Sequence, residues 1–154
     1  MRRSLIVVAC GVILAASAFV ATAGGKPQAL TGTFTVVERA TTDAVTNKGT
    51  KKGDSLGDIL TFANGVYNAS NTTKMGSDNG FCIRTQVGKA WECIWTTFLP
   101  SGQLTVDGPF LDAGDSKLAI TGGTGAYARA RGWMNLHARN AKGTEYDFGF
   151  HVQG

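Results

Sequence analysis

The chain has 154 residues, 43% of them hydrophobic and 17% charged, with 15 Lys and Arg against 11 Asp and Glu and a formal net charge of +4. That length makes one domain, able to bury about two-thirds of its unfolded surface without a metal or a dense disulfide net. The positive charge is small and scattered, with no basic run longer than Lys51-Lys52, and this excludes a nucleic-acid patch, so no nucleic-acid partner is expected.

Residues 1–23 read as a secretory signal peptide: Arg2 and Arg3, an apolar run from Leu5 to Val20, then Ala21-Thr22-Ala23. Cleavage after Ala23 leaves 24–154 as the working domain, with a net charge of about +2 once Arg2 and Arg3 are gone. The apolar run is too short to span a bilayer comfortably and no second one follows. The expectation is a secreted or periplasmic protein with no stable membrane span, and Cys10 is lost with the leader.

Leu30 to Arg39, LTGTFTVVER, alternates and is rich in β-branched residues, a strand pattern. Ala40 to Leu56 is polar and reads as an exposed loop, Asp58 to Tyr67 as a second strand, and Asn68 to Asn79 as a polar connection carrying the sequons Asn68-Ala69-Ser70 and Asn71-Thr72-Thr73. Further short strands are expected at Phe81–Val87, Ala90–Phe98, Gly102–Phe110, Lys117–Ile120, Gly132–Ala138 and Glu145–Val152. Turn signals separate them: Val87-Gly88, Pro100-Ser101-Gly102, Asp112–Asp115 and Asn140–Gly143. Such spacing without a long helix indicates a closed antiparallel barrel or a sandwich, and a barrel of about eight strands can hold one small ligand.

Two cysteines lie outside the leader. If Val87-Gly88 forms the hairpin turn, Cys82 stands opposite Cys93 on one face of the sheet, and in an exported protein the pair forms a disulfide. A hairpin shifted by two residues instead leaves the thiols offset and free. Gly122, Gly123 and Gly125 follow a β-prone run, as in a dinucleotide turn. No amphipathic helix follows them, so they read as a tight corner between strands. His137 and His151 lack partners at metal-ligand spacing, so no metal is expected, and no G-x-S-x-G nucleophile elbow occurs.

Taken in order, Leu56–Tyr67 (LGDILTFANGVY), Gly80-Phe81-Cys82, Gly102–Leu111 (GQLTVDGPFL) and Leu118–Gly125 (LAITGGTG) resemble the allene oxide cyclase family over residues 33–154. The glycine cluster, with Tyr127 and Ala130-Arg131-Gly132, also resembles the dirigent proteins, which share that barrel. The resemblance implies an all-β, eight-stranded antiparallel barrel with an apolar cavity, no cofactor, and assembly as a homo-dimer or homo-trimer. Together with the leader, it implies a secreted protein that binds a small apolar ligand and steers its cyclisation or stereoselective coupling, as a cofactor-independent cyclase or isomerase. A non-catalytic secreted ligand-binding or structural barrel is the alternative reading.

Carried over by position, Asn64 matches the family's water-holding asparagine, a catalytic hydrogen-bonding residue. Cys82 matches its pocket cysteine, and Phe62 and Trp91 its pocket aromatics. Phe110 stands where the family has a pocket tyrosine, and so lines the pocket without a hydroxyl. The first-strand glutamate of the plant cyclases falls on Thr35, its neighbouring asparagine on Val37 and the proline that follows on Ala44. Glu38, three positions beyond Thr35, is expected on the opposite face of the strand.

Overall fold

The computed structural model describes residues 30–49 and 53–154, so the signal peptide expected at 1–23 lies outside the described residues. The described chain forms ten strands and one short 3-10 turn: β1 (Gly32–Arg39), β2 (Ala44–Thr46), β3 (Ile59–Phe62), β4 (Gly65–Asn68), β5 (Lys74–Gln86), β6 (Ala90–Leu99), β7 (Gly102–Leu111), β8 (Ser116–Gly123), β9 (Arg131–Ala138) and β10 (Glu145–Gln153), the 3-10 turn occupying Gly125–Tyr127.

All pairings are antiparallel and run β2-β3-β5-β4-β1-β10-β9-β8-β7-β6, with β5 also paired to β6 so that the sheet closes on itself. The wall has eight staves rather than ten. β4 and β3 both lie along β5, opposite its first and second halves; β1 pairs with β4, and β2 with β3. One stave is thus β1 continued by β2, its neighbour is β3 continued by β4, and both are interrupted at the same level, at residues 40–43 and 63–64. Closure leaves no long edge open to pairing with another chain.

Several sequence expectations shift accordingly. The stretch 40–56 contains β2, an exposed strand of three residues, too short to announce itself. The single strand expected over Asp58–Tyr67 is broken at Ala63-Asn64. The connection expected over 68–79 is strand from Lys74 onward, because Gly76, Ser77 and Asp78 pair with neighbours on either side. Gly122 and Gly123 end β8 rather than forming a corner. The turn falls at Gly125, whose φ of +60° suits glycine.

The hairpin β5–β6 takes the register that sets Cys82 opposite Cys93, and the two form a disulfide. The barrel is packed by the alternate, inward residues of its strands, including Val66, Leu104, Val106, Leu118, Met134, Phe148 and Phe150. Gly80 admits this packing on β5: a Cβ there would stand 2.3 Å from the Cβ of Trp95, so only glycine lets Trp95 cross above it.

Candidate functional site

The double interruption of the wall is repaired by one side chain. Asn64, 2% exposed, accepts at Oδ1 from the backbone N–H groups of Thr41 (2.9 Å) and Thr42 (3.0 Å) and from the Thr42 hydroxyl (3.0 Å). Its Nδ2 donates to Glu38 Oε1 (2.8 Å) and Asp43 Oδ1 (2.7 Å). Three donors on one side and two carboxylates on the other fix the amide's orientation and use its whole hydrogen-bonding capacity. Asn64 therefore holds protein groups in place and has nothing left to offer a ligand.

Across the wall, Asn64 and Asp78 exchange backbone hydrogen bonds, and Asp78 Oδ1 accepts the Asn64 N–H as well (3.2 Å). Asp78, Gly80 and Cys82 alternate on the inner face of β5. Phe34, Val36 and Glu38 alternate on the inner face of β1. The first-strand position assigned to the interior by resemblance, Thr35, thus faces away from the buried stripe, and Glu38 occupies the inner face instead. Its presence on the same parity as Phe34 and Val36 is the signal that locates it.

Glu38 and Asp78 are 5% and 1% exposed, and their carboxyls are near enough for each to influence the other's titration. Asp78 Oδ2 receives no hydrogen bond from any N–H or hydroxyl of the protein. Burial, reinforced by the neighbouring Asp78 and Asp43 charges, holds the Glu38 carboxyl well above the usual carboxylate range, and the Asn64 hydrogen bond partly offsets this. Burial likewise pushes Asp78 up to about 7. Two close carboxyls in an apolar wall cannot both ionise cheaply, so they share one proton near neutral pH.

Above this pair lies a narrow cleft lined by Glu38, Asp43, Phe62, Trp95, Phe110 and Tyr146, with Leu60, Leu136, Phe148 and the Cys82–Cys93 bridge completing the wall. Its free volume of about 30 Å³ has room for roughly two waters. At the end of the barrel the space widens to about 180 Å³ between the β7–β8 and β9–β10 loops, and Phe110, Leu136 and Tyr146 border both chambers. Phe110 and Tyr146 meet edge to face at the junction, 5.8 Å between ring centroids. Burial first, then the Asp43 and Glu38 charges, raise the Tyr146 hydroxyl above its ordinary range and keep it a donor. The phenol missing at position 110 is thus present from β10. Trp95 keeps its indole N–H buried without an acceptor.

Of the residues singled out from the sequence, Phe62, Cys82 and Phe110 line the cleft together. Asn64 stands behind its carboxylates. Trp91 packs beneath the Arg84 guanidinium, 3.8 Å from its ring centroid, outside the cleft lining, while Arg84 is bound to Asp54 and Asp112. Trp95, the same parity four residues on, takes the place on the cleft wall. Asp43, Asp78 and Tyr146 were not picked out from the sequence as site residues, and Glu38 was named there only as facing away from the Thr35 position.

A family model for allene oxide cyclase matches residues 28–152 of the chain. Among solved structures, a pyocyanin demethylase is similar at TM-score 0.65 and 26% identity, over 76% of this chain and 98% of its own. A pterocarpan synthase dirigent protein is similar at TM-score 0.62 and 17% identity, over 81% and 96%. AbnU, an exo-specific intermolecular Diels-Alderase, is similar at 0.62 and 12%, over 80% and 99%.

Proposed function

The chain belongs to the allene oxide cyclase family, and on that premise we propose that its barrel binds a small, largely apolar ligand at the open end and reshapes it by cofactor-independent cyclase or isomerase chemistry. The observation that carries this reading is Glu38 on the wall of an aromatic-lined cleft, backed by the buried Asp78 and flanked by Asp43. A carboxyl pair in such a place lowers stability, and one whose proton comes and goes near neutral pH suits general acid–base work. Tyr146 would add a neutral hydrogen-bond donor, and the cleft walls would fix the ligand's conformation. The inner cleft takes only a small head group, so the ligand's body sits in the outer chamber.

The similar barrels bear the names of a demethylase, a dirigent protein and a Diels-Alderase. Three chemistries on one frame mean that the reaction has to be argued from the site. Export through the 1–23 leader is part of the proposal, supported by the disulfide, a bond that persists in oxidising compartments. So is a dimer or trimer, for which the exposed Phe81, Ile83 and Ile94 on the outer face of β5 and β6 offer an apolar patch.

The test begins with fluorescence titration of the purified barrel with N-phenyl-1-naphthylamine, a neutral apolar probe, beside a Leu136→Trp variant checked for folding by circular dichroism. Wild type binds and the filled variant does not; a wild type that fails to bind refutes the proposal. Unsaturated epoxides and conjugated polyenes are then offered and the products resolved by chiral chromatography. Conversion that disappears in Glu38→Gln while probe binding persists identifies an enzyme. Binding without any conversion makes the protein a carrier.

A further inference from the structure

We infer that the cleft selects a ligand whose small head carries a positive charge, an N-alkylated or protonated nitrogen on a flat aromatic or conjugated frame. The inference rests on the proposed ligand-binding reading and specifies the ligand's charge.

Three observations carry it. The first is an uncompensated negative site. Glu38 from β1, Asp43 from the segment before β2 and Asp78 from β5 converge on one level of the barrel, joined through Asn64. Among the described residues no lysine, arginine or histidine lines the cleft. The nearest inward cation along β5, Arg84, is committed to Asp54 and Asp112 and stacked on Trp91. The one other titratable group on the cleft wall, Tyr146 from β10, brings no positive charge. Even with a proton shared between Glu38 and Asp78, the pair retains a negative charge at 1–5% exposure.

Second, Asp78 Oδ2 is buried on the inner face and receives no hydrogen bond from any donor of the protein. Acceptors elsewhere in the molecule are treated differently: the fully buried Asp58 takes the Lys48 and Ser55 N–H groups at 2.7 and 2.9 Å. Asp78 lies behind the cleft rather than on its lining, and a buried acceptor without a donor there leaves negative charge behind Glu38 for a ligand's cation to balance.

Third, the remaining walls are aromatic. Phe62 meets Trp95 edge to face (5.9 Å between centroids), Trp95 leans on Phe148 (5.5 Å), and Phe110 and Tyr146 close the mouth. Aromatic faces around a carboxylate recognise alkylated nitrogen cations, which are large, weakly hydrated and cheap to bring out of water. The 30 Å³ of the inner cleft admits an N-methyl group or a single ammonium and no more.

Binding of a cation favours the fully ionised pair, so it expels the shared proton. Affinity for the cation should rise as the pH passes upward through about 7, the value to which Asp78 is raised, whereas affinity for a neutral ligand should not.

The experiment uses one ring frame in three forms: N-methylquinolinium, its neutral counterpart 1-methylnaphthalene, and the ketone 1-acetonaphthone, whose oxygen would take the bare Trp95 N–H. Each competes against N-phenyl-1-naphthylamine at pH 6 and pH 8. The cation should bind roughly tenfold more tightly than the hydrocarbon at pH 8, lose most of that advantage at pH 6, and lose it at both pH values in Asp78→Asn and in Glu38→Gln. Equal binding of cation and hydrocarbon, or a preference for the ketone, overturns the inference while leaving the ligand-binding cavity intact. Failure of all three, with failure of the fluorophore itself, overturns the cavity as well.

Discussion

Asp78 is where function and stability pull against each other most directly. Its carboxyl ordinarily titrates near 3.8 and is raised to about 7 in the fold. The folded state therefore binds the proton more tightly than the unfolded chain. The stability linked to that proton is complete below the ordinary carboxylate range and is lost as the pH rises through about 7. At 1% exposure solvent screening removes little of the effect, and over the pair it amounts to about 2–4 kcal/mol. Urea denaturation of Asp78→Asn should show a protein more stable than wild type at pH 8 and no more stable at pH 4. The same gain at both pH values would show that ionisation is not the cause.

Asn64→Ala should act in the opposite direction, costing about 3 kcal/mol by leaving buried donors and a carboxylate unmatched, and raising Glu38 further by removing its amide donor. Asn64 was legible in the sequence as a site residue. Its role was not, because the Thr41, Thr42, Glu38 and Asp43 groups that saturate it come from a neighbouring stave. Glu38 and Asp78 were obscured for a related reason: each is a charged residue that continues an inward stripe, and a carboxylate reads from sequence as solvent-facing.

At the scale of elements, the regular hairpins announced themselves. β6, β7, β9 and β10 combine alternation with turn residues at both ends, and the Val87–Lys89 turn together with the bulge between Arg84 and Gln86 sets Cys82 opposite Cys93. The interrupted staves did not. β2 is three exposed residues long, β3 and β4 are four each, and their break is set by pairing to opposite halves of the 13-residue β5 rather than by any local breaker. Replacing both cysteines by serine should lower stability by roughly 2 to 3 kcal/mol, as expected for closing a short loop, measured by chemical denaturation beside the oxidised wild type. Since both sulfurs border the cleft, fluorophore binding should weaken as well. Gly80→Ala forces a Cβ into Trp95 and the Ile94 carbonyl. It should lower the thermal midpoint, at a cost of about 1–3 kcal/mol, and alter near-ultraviolet circular dichroism as Trp95 moves. An unchanged Trp95 signal would contradict the close approach described for this crossing.

For the whole molecule, composition and strand spacing led to a closed antiparallel barrel, and the ordered motifs led to its family, because both depend on patterns spread along the chain. The cleft depends on which residues share a level of the barrel, a property of strand register that no single motif carries. The central claim is that the Glu38–Asp78 pair shares a proton at the wall of the cleft that receives the ligand. Carbon-13 NMR of the side-chain carboxyls, in protein labelled at Asp and Glu, tests it directly. Two carboxyls, assigned through Glu38→Gln and Asp78→Asn, should remain protonated beyond the ordinary range, with a midpoint for Asp78 of about 7, and both should shift when N-phenyl-1-naphthylamine is added. Complete ionisation of both below pH 5, with no response to the probe, would contradict the account.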